Sequence, residues 1–128
     1  MINLLLVGVG GATGAMARYL TGVGYGRLFG PGQPYLATAF INVLGSLLMG
    51  VLVGVLALKV SEAGMRWRLL LAVGVLGGFT TFSSFSLEAV LMLERRAYGA
   101  MAAYILGSVV FSILGLMLGL LAVRKVFS

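Results

Sequence analysis

The stretch Gly77-Gly78-Phe79-Thr80-Thr81-Phe82-Ser83-Ser84-Phe85-Ser86 holds two glycines, two threonines and three serines inside a long apolar run. That run, from about Leu69 to Leu93, is long enough to cross a bilayer as a helix, since roughly 20 mainly apolar residues span the hydrocarbon core. Glycine weakens a helix interior by about 1 kcal/mol against alanine. Two readings are open. In one the helix continues and its hydroxyls bond back to the preceding turn. In the other it breaks, and irregular backbone at mid-membrane is tolerated only where it is buried in protein or lines a cavity. A break frees carbonyls and amides that can hold ions. A phosphate-binding loop is a poor match, because no Walker lysine follows the glycines.

Outward from this run, three more segments have the length and composition of membrane spans: about 2–23, 35–58 and 98–123. With the third at 69–93, the expected fold is all-α, a single four-helix transmembrane domain over residues 1–128 with its third helix broken at mid-membrane. The connections are short. Residues 26–34 (GRLFGPGQP) read as a turn, residues 59–68 (KVSEAGMRWR) as the most charged loop, and Glu94-Arg95-Arg96 as a tight hairpin. The first segment reads as a retained helix, since Met1-Ile2-Asn3 is not a basic start and no cleavage site follows.

Composition agrees. Hydrophobic residues make up 61% and charged residues 9% of the chain, with a mean hydropathy of +1.14. Soluble domains average roughly 45–50% apolar and about 25% charged. Cysteine, histidine and aspartate are absent, and Glu62, Glu88 and Glu94 are the only acidic side chains. This excludes a disulfide framework, a thiol nucleophile and histidine acid–base chemistry, and it argues against an enzyme. The net charge of +6 is read as basic ends of apolar segments meeting lipid headgroups, not as nucleic-acid binding.

With the N-terminus inside, the inner side holds Lys59, Arg66, Arg68, Arg124 and Lys125, five residues against Arg27, Arg95 and Arg96 outside, with Arg18 unassigned. An excess of two basic residues is a small orientation signal. It fits insertion with the N-terminus inside, and it also fits insertion both ways with pairing as an inverted dimer. Charge alone favours the first. Gly10/Gly14, Gly50/Gly54, Gly74/Gly78 and Gly115/Gly119 are each spaced by four, which lets helix backbones approach closely in lipid.

Polar residues inside the spans need a reason. Thr38, Asn42 and Ser46 lie four apart and share one helix face, either as interhelical glue or as donors along a pathway. Tyr104, Ser108 and Ser112 repeat the pattern on the fourth span. Arg18 and Glu88 are ionisable groups within spans, the first also able to snorkel to the headgroups and the second also close to the interface. The inventory is mostly neutral donors, without the carboxylate rings of a cation pathway. Phenyl rings have positive edges, so these residues suit a compact anion.

The same residues carry a resemblance. Gly10-Gly11-Ala12-Thr13-Gly14-Ala15-Met16-Ala17-Arg18-Tyr19, Thr38-Ala39-Phe40-Ile41-Asn42 and Gly77-Gly78-Phe79-Thr80-Thr81-Phe82-Ser83-Ser84-Phe85 resemble, in order, three motifs of the Fluc (CrcB-type) fluoride channels. Ala37 stands where the family usually has glycine, and Ser84 where it often has threonine. The resemblance implies an antiparallel, dual-topology homodimer in the cell (inner) membrane that exports fluoride passively, and it reverses the preference drawn from charge. It implies that Phe82, Phe85, Asn42, Tyr104, Ser108, Ser112, Thr38 and Glu88 line the fluoride pore, and that Arg18 sits in the vestibule. It also implies that carbonyls of Gly77 and Thr80 hold a structural sodium ion at the dimer centre. Two competing readings are a small four-helix proton-coupled multidrug exporter and a non-transporting structural subunit. The exporter needs a first-span carboxylate that this chain lacks. The structural subunit leaves the aligned polar rows unexplained.

Overall fold

The computed structural model describes residues 1–58 and 61–128, so Lys59, counted above on the inner side, lies outside the described residues. Four helical runs are long and apolar enough to cross a membrane: Ile2–Phe29, Pro34–Ala57, Glu62–Glu94 and Tyr98–Val126. No strand occurs among the described residues.

Helix α1 (Ile2–Phe29) runs six residues past the expected end at Val23. Tyr25 and Phe29 stack one turn apart, with ring centroids at 4.7 Å, and such pairs support a final turn. The turn expected from Gly26 therefore starts only at Gly30, whose φ of 86° suits a residue without a Cβ. Helix α2 (Pro34–Ala57) opens on proline at its first position, where the missing N–H costs nothing.

The expected loop over 59–68 is largely helical. Ser61 caps α3 (Glu62–Trp67) by accepting a hydrogen bond from the Gly64 N–H at 3.1 Å. The third span thus starts seven residues before Leu69. It continues without interruption through a π-helical stretch, Arg68–Leu76, and one turn of α4 (Gly77–Phe79). π-Helical turns are rare and recur beside functional sites. After the break comes α5 (Phe82–Glu94), then α6 (Tyr98–Val126), three residues longer than expected at its C-terminal end.

The expected hairpin at Glu94-Arg95-Arg96 is a Schellman closure. Arg96 is left-handed at φ 58°. Its N–H reaches the Leu93 carbonyl at 3.0 Å, and the Ala97 N–H reaches the Met92 carbonyl at 2.9 Å. Glycine is usual at this position.

Each glycine pair singled out by its spacing sits at a helix contact. Gly10 lies against Leu70 and Gly74, and Gly14 against Val75 and Phe79. Gly78 meets Gly11, so α1 and the third span touch backbone to backbone. Gly50 packs on the Leu116 carbonyl, Gly119 on the Leu47 carbonyl, and Gly54 on Val123, which joins α2 to α6 in the same way. Lipid tails give helices no hydrophobic reason to associate, so close backbone approach carries the cohesion.

A Cβ at Gly14 would strike the Val75 carbonyl, whereas Gly8 has open space. Gly14→Ala is expected to lower stability by about 1–3 kcal/mol, whereas Gly8→Ala, with open space and a better helix former, should hold stability or raise it by up to about 1 kcal/mol, measured by thermal unfolding in detergent. In the same assay Arg96→Gly should raise stability by roughly 1 kcal/mol, by removing the left-handed strain on a residue with a Cβ.

Candidate functional site

The break falls at Thr80 and Thr81. Both are extended, with φ −75°, ψ 157° and φ −150°, ψ 118°. In an unbroken helix the Thr81 N–H would bond to the Gly77 carbonyl. Here it donates to Asn42 Oδ1 at 2.7 Å, while Asn42 Nδ2 donates to the Thr81 carbonyl at 2.9 Å. The asparagine amide presents a donor and an acceptor side by side, as a peptide unit does, so it satisfies both backbone groups of one residue.

Hydroxyls finish both ends. Thr80 Oγ1 bonds back to the Leu76 carbonyl at 2.9 Å, beside the Thr80 N–H on the same oxygen at 3.0 Å. Thr81 Oγ1 caps α5 by accepting from the Ser84 N–H at 3.1 Å and lies 3.2 Å from Ser83 Oγ. Back-bonding and breakage, the two readings of this stretch, thus occur together. The run ending at Phe79 turns its carbonyl end toward the break, and α5 turns its N–H end toward it, so opposite dipole ends meet at mid-membrane.

Two cavities flank the break. The first, about 390 Å³, is lined by Asn42, Ser46, Thr80, Thr81, Phe82, Phe85, Ser108 and Ser112 together with apolar residues. Ser108 is buried, and its Oγ has no hydrogen-bond partner among the described residues. Phe82 and Phe85 lie 5.5 Å apart between centroids, and Phe85 stacks on Tyr104 at 5.2 Å. Tyr35 and Tyr104 meet edge to face at 5.5 Å. Phe82 is 78% exposed on the single chain.

The second cavity, about 470 Å³, is lined by Arg18, Thr38, Thr81, Ser84 and Glu88 among others. Thr81 borders both cavities, and Asn42 borders the first. Glu88 accepts from Thr38 Oγ1 at 2.9 Å and from Tyr104 Oη at 2.7 Å, which ties α5 to α2 and α6 through its two oxygens. Arg18 Nη1 donates to the Thr80 carbonyl at a long 3.4 Å. It turns toward the break, not outward to the headgroups.

The fluoride-pore residues anticipated from sequence therefore divide. Phe82, Phe85, Asn42, Ser108 and Ser112 gather on the first cavity. Thr38 and Glu88 gather on the second, with Arg18. Tyr104 lines neither and joins the groups through Glu88 and Phe85. Gly77 lines neither cavity, although the break leaves its carbonyl without its helical N–H. Sequence reading passed over Thr81 itself. A threonine near the start of a helical run is a candidate cap, but Thr80 carries the same signal, so the sequence did not single Thr81 out.

This fold and site define a multi-pass helical membrane protein whose interrupted third span is flanked by two cavities, the first without a carboxylate among its described lining residues. Comparison makes the assignment narrower. Residues 5–120 match the family described as CrcB-like protein, Camphor Resistance (CrcB), and the chain belongs to that family. It is 58% identical over 128 residues to a protein of Phenylobacterium zucineum, covering 100% of both chains. It is 54% identical over 128 residues to one of Caulobacter vibrioides, again covering 100% of both. It is 50% identical over 127 residues to one of Agrobacterium fabrum, covering 99% of this chain and 100% of the relative. All three relatives bear the name fluoride-specific ion channel FluC.

Removing the Asn42 amide strands the N–H of Thr81, whereas the Thr81 carbonyl, at the N-cap of α5, keeps the first bond of that helix. Asn42→Leu is expected to cost about 1–3 kcal/mol for that one unsatisfied group, read as a lowered unfolding midpoint of the purified protein. An unchanged midpoint would show that the break is held by other contacts.

Proposed function

We propose that this protein is a passive, fluoride-selective channel of the cell inner membrane and not an enzyme. The observation that carries the reading is the first cavity. It sits at the N–H end of α5 and is lined by an amide, hydroxyls and two phenyl rings, with no carboxylate among its described lining residues. A helix N-terminus favours an anion, and ring edges favour one without the binding strength of a full positive charge. The buried, unpartnered Ser108 Oγ is a donor free for such an ion. Full-length relatives at 50–58% identity bear the matching name.

In this mechanism the ion sheds water as it enters the first cavity, where Ser46, Ser108 and Ser112 replace hydration. The second Nδ2–H of Asn42, not used on Thr81, is one more donor. Phe82 and Phe85 edges then flank the ion. Thr38, Glu88 and Tyr104 hold the second cavity open as a hydrogen-bonded unit, and Arg18 in that cavity raises the local anion concentration as a vestibule cation. No covalent step or nucleotide is required.

The proposed working unit is an antiparallel homodimer. Phe82 is 78% exposed, and Gly77 and Ser83 beside the break are exposed as well. Broken backbone at membrane depth has to be covered by protein or water, and a second copy supplies that cover. A structural sodium ion fits this unit. Among the described residues no group of three His, Cys, Asp or Glu side chains could hold a metal, so carbonyls are the available donors. The Gly77 carbonyl has lost its helical partner, and that of Thr80 has a second lone pair beside its bond to Arg18. One chain offers two such oxygens, so a second copy is needed to complete a cation's shell. Sodium bound there would neutralise the facing carbonyl ends.

The test is efflux from liposomes containing the purified protein. Fluoride should leave rapidly and chloride scarcely at all; absence of fluoride release from assembled protein would sink the proposal. Phe82→Ala with Phe85→Ala should abolish flux without preventing assembly. Ser108→Ala removes no hydrogen bond of the fold, so stability should hold within about 0.5 kcal/mol, while fluoride flux falls at least tenfold.

A further inference from the structure

Away from the break, the end of α2 and the short helix α3 enclose a third cavity of about 310 Å³. Val53, Leu56, Ala57 and Met65 give it apolar walls, and Ser61 and Arg68 add polar atoms. Arg68 carries the one charge among the described lining residues, and Glu62, the acidic residue of α3, does not line the cavity. Arg66 and Arg68 are exposed on either side of Trp67, itself 53% exposed, next to Met65 at 57%. Tryptophan at the end of a span belongs at headgroup depth, and arginine there lays its stem on apolar surface with its head toward phosphate. The Ser61 cap fixes the first turn of α3 against this opening.

We propose that this cavity is a binding site for an anionic phospholipid. One acyl chain lies along Val53, Leu56 and Met65, and the phosphodiester pairs with the Arg68 guanidinium, whose planar fork matches two phosphate oxygens. Charge complementarity selects this occupant. A zwitterionic lipid would bring its own cation to an already basic rim, and a second copy docking through the same face would set arginine against arginine. The bound lipid would brace the start of the π-helical stretch, whose first residue is Arg68.

Trp67 is the one tryptophan of the chain, so its fluorescence reports on this site. The full-length protein is reconstituted in phosphatidylcholine vesicles carrying equal mole fractions of bromine-labelled phosphatidylglycerol or bromine-labelled phosphatidylcholine. The expected result is a roughly fivefold preference for the anionic lipid in quenching, as one interfacial arginine provides. Arg68→Gln should remove most of that preference. Arg124→Gln, which deletes one charge at the end of α6, should leave it. Should the glutamine variant fail to assemble, Arg68→Lys decides: a reduced preference supports the paired fork, and an unchanged one overturns it. Equal quenching by both lipids overturns the site. Equal loss in the Arg68 and Arg124 variants assigns the effect to diffuse surface charge and overturns it too. Absence of quenching by either lipid means that protein, such as a second copy, covers the groove.

Discussion

Two hydrogen bonds between the Asn42 amide and the backbone of Thr81 set the form of the third span. An N–H or carbonyl left bare in hydrocarbon costs several kcal/mol, so a helix does not open there without replacement partners. Asn42 supplies the acceptor for the freed Thr81 N–H from the neighbouring helix and bonds the Thr81 carbonyl as well, in a geometry no serine or threonine could copy. Once the bonds are made, α5 restarts from Thr81 with its own cap, and its side chains are set independently of the helix below. That reset directs Phe82 and Phe85 to one cavity while Glu88 meets Thr38 and Tyr104 near the other.

The glycines make this arrangement reachable. Asn42 is short, so α2 has to stand close to the break, and Gly45, one turn further on, lies directly against the Thr80 methyl and the Phe79 ring. On the other side Gly14 lies against Val75 and the Phe79 backbone, which brings α1 near enough for Arg18 to reach the Thr80 carbonyl. In a bilayer, where apolar contact between helices gains little over contact with lipid, close backbone packing and a few polar ties do the holding. Glu88 is the other tie: its two hydroxyl donors join three helices, with no positive partner on the carboxylate among the described residues.

Much of this was legible in the sequence for specific reasons. Apolar length gave the four spans, and intervals of four gave the glycine contacts and the rows through Asn42 and Ser108. Glycines followed by hydroxyls gave the break. What was hidden depends on partners distant in the chain. A row of Thr38, Asn42 and Ser46 reads as one face, yet the three side chains serve different ends: a carboxylate, a backbone and an open cavity. Thr81 looked like one hydroxyl among five until its N–H was seen to be claimed by a residue 39 positions away. The early start of the third span was hidden by charge, because Glu62, Arg66 and Arg68 read as loop although Ser61 supplied the cap. The left-handed Arg96 had no local sign at all, since glycine or asparagine is the usual occupant.

The cavity chemistry bears on selectivity through the strength of each contact. A small, hard anion holds its water tightly, so a passage has to offer several donors at once, yet a single buried arginine at the narrowest point would bind and keep it. Here the cation stands aside. Arg18 borders the second cavity, while the first offers an amide hydrogen, hydroxyls and ring edges, each individually weak. Conduction requires binding that is favourable enough to enter and divided enough to leave, and in the proposed channel dividing it among neutral groups would achieve both. The same division explains why the outward ring of Phe82 matters. That ring is 78% exposed on a lone chain, and in the proposed dimer a second copy would close over it, so that its edge would meet an ion in a space free of bulk water, where a weak quadrupole contact is strong enough to count.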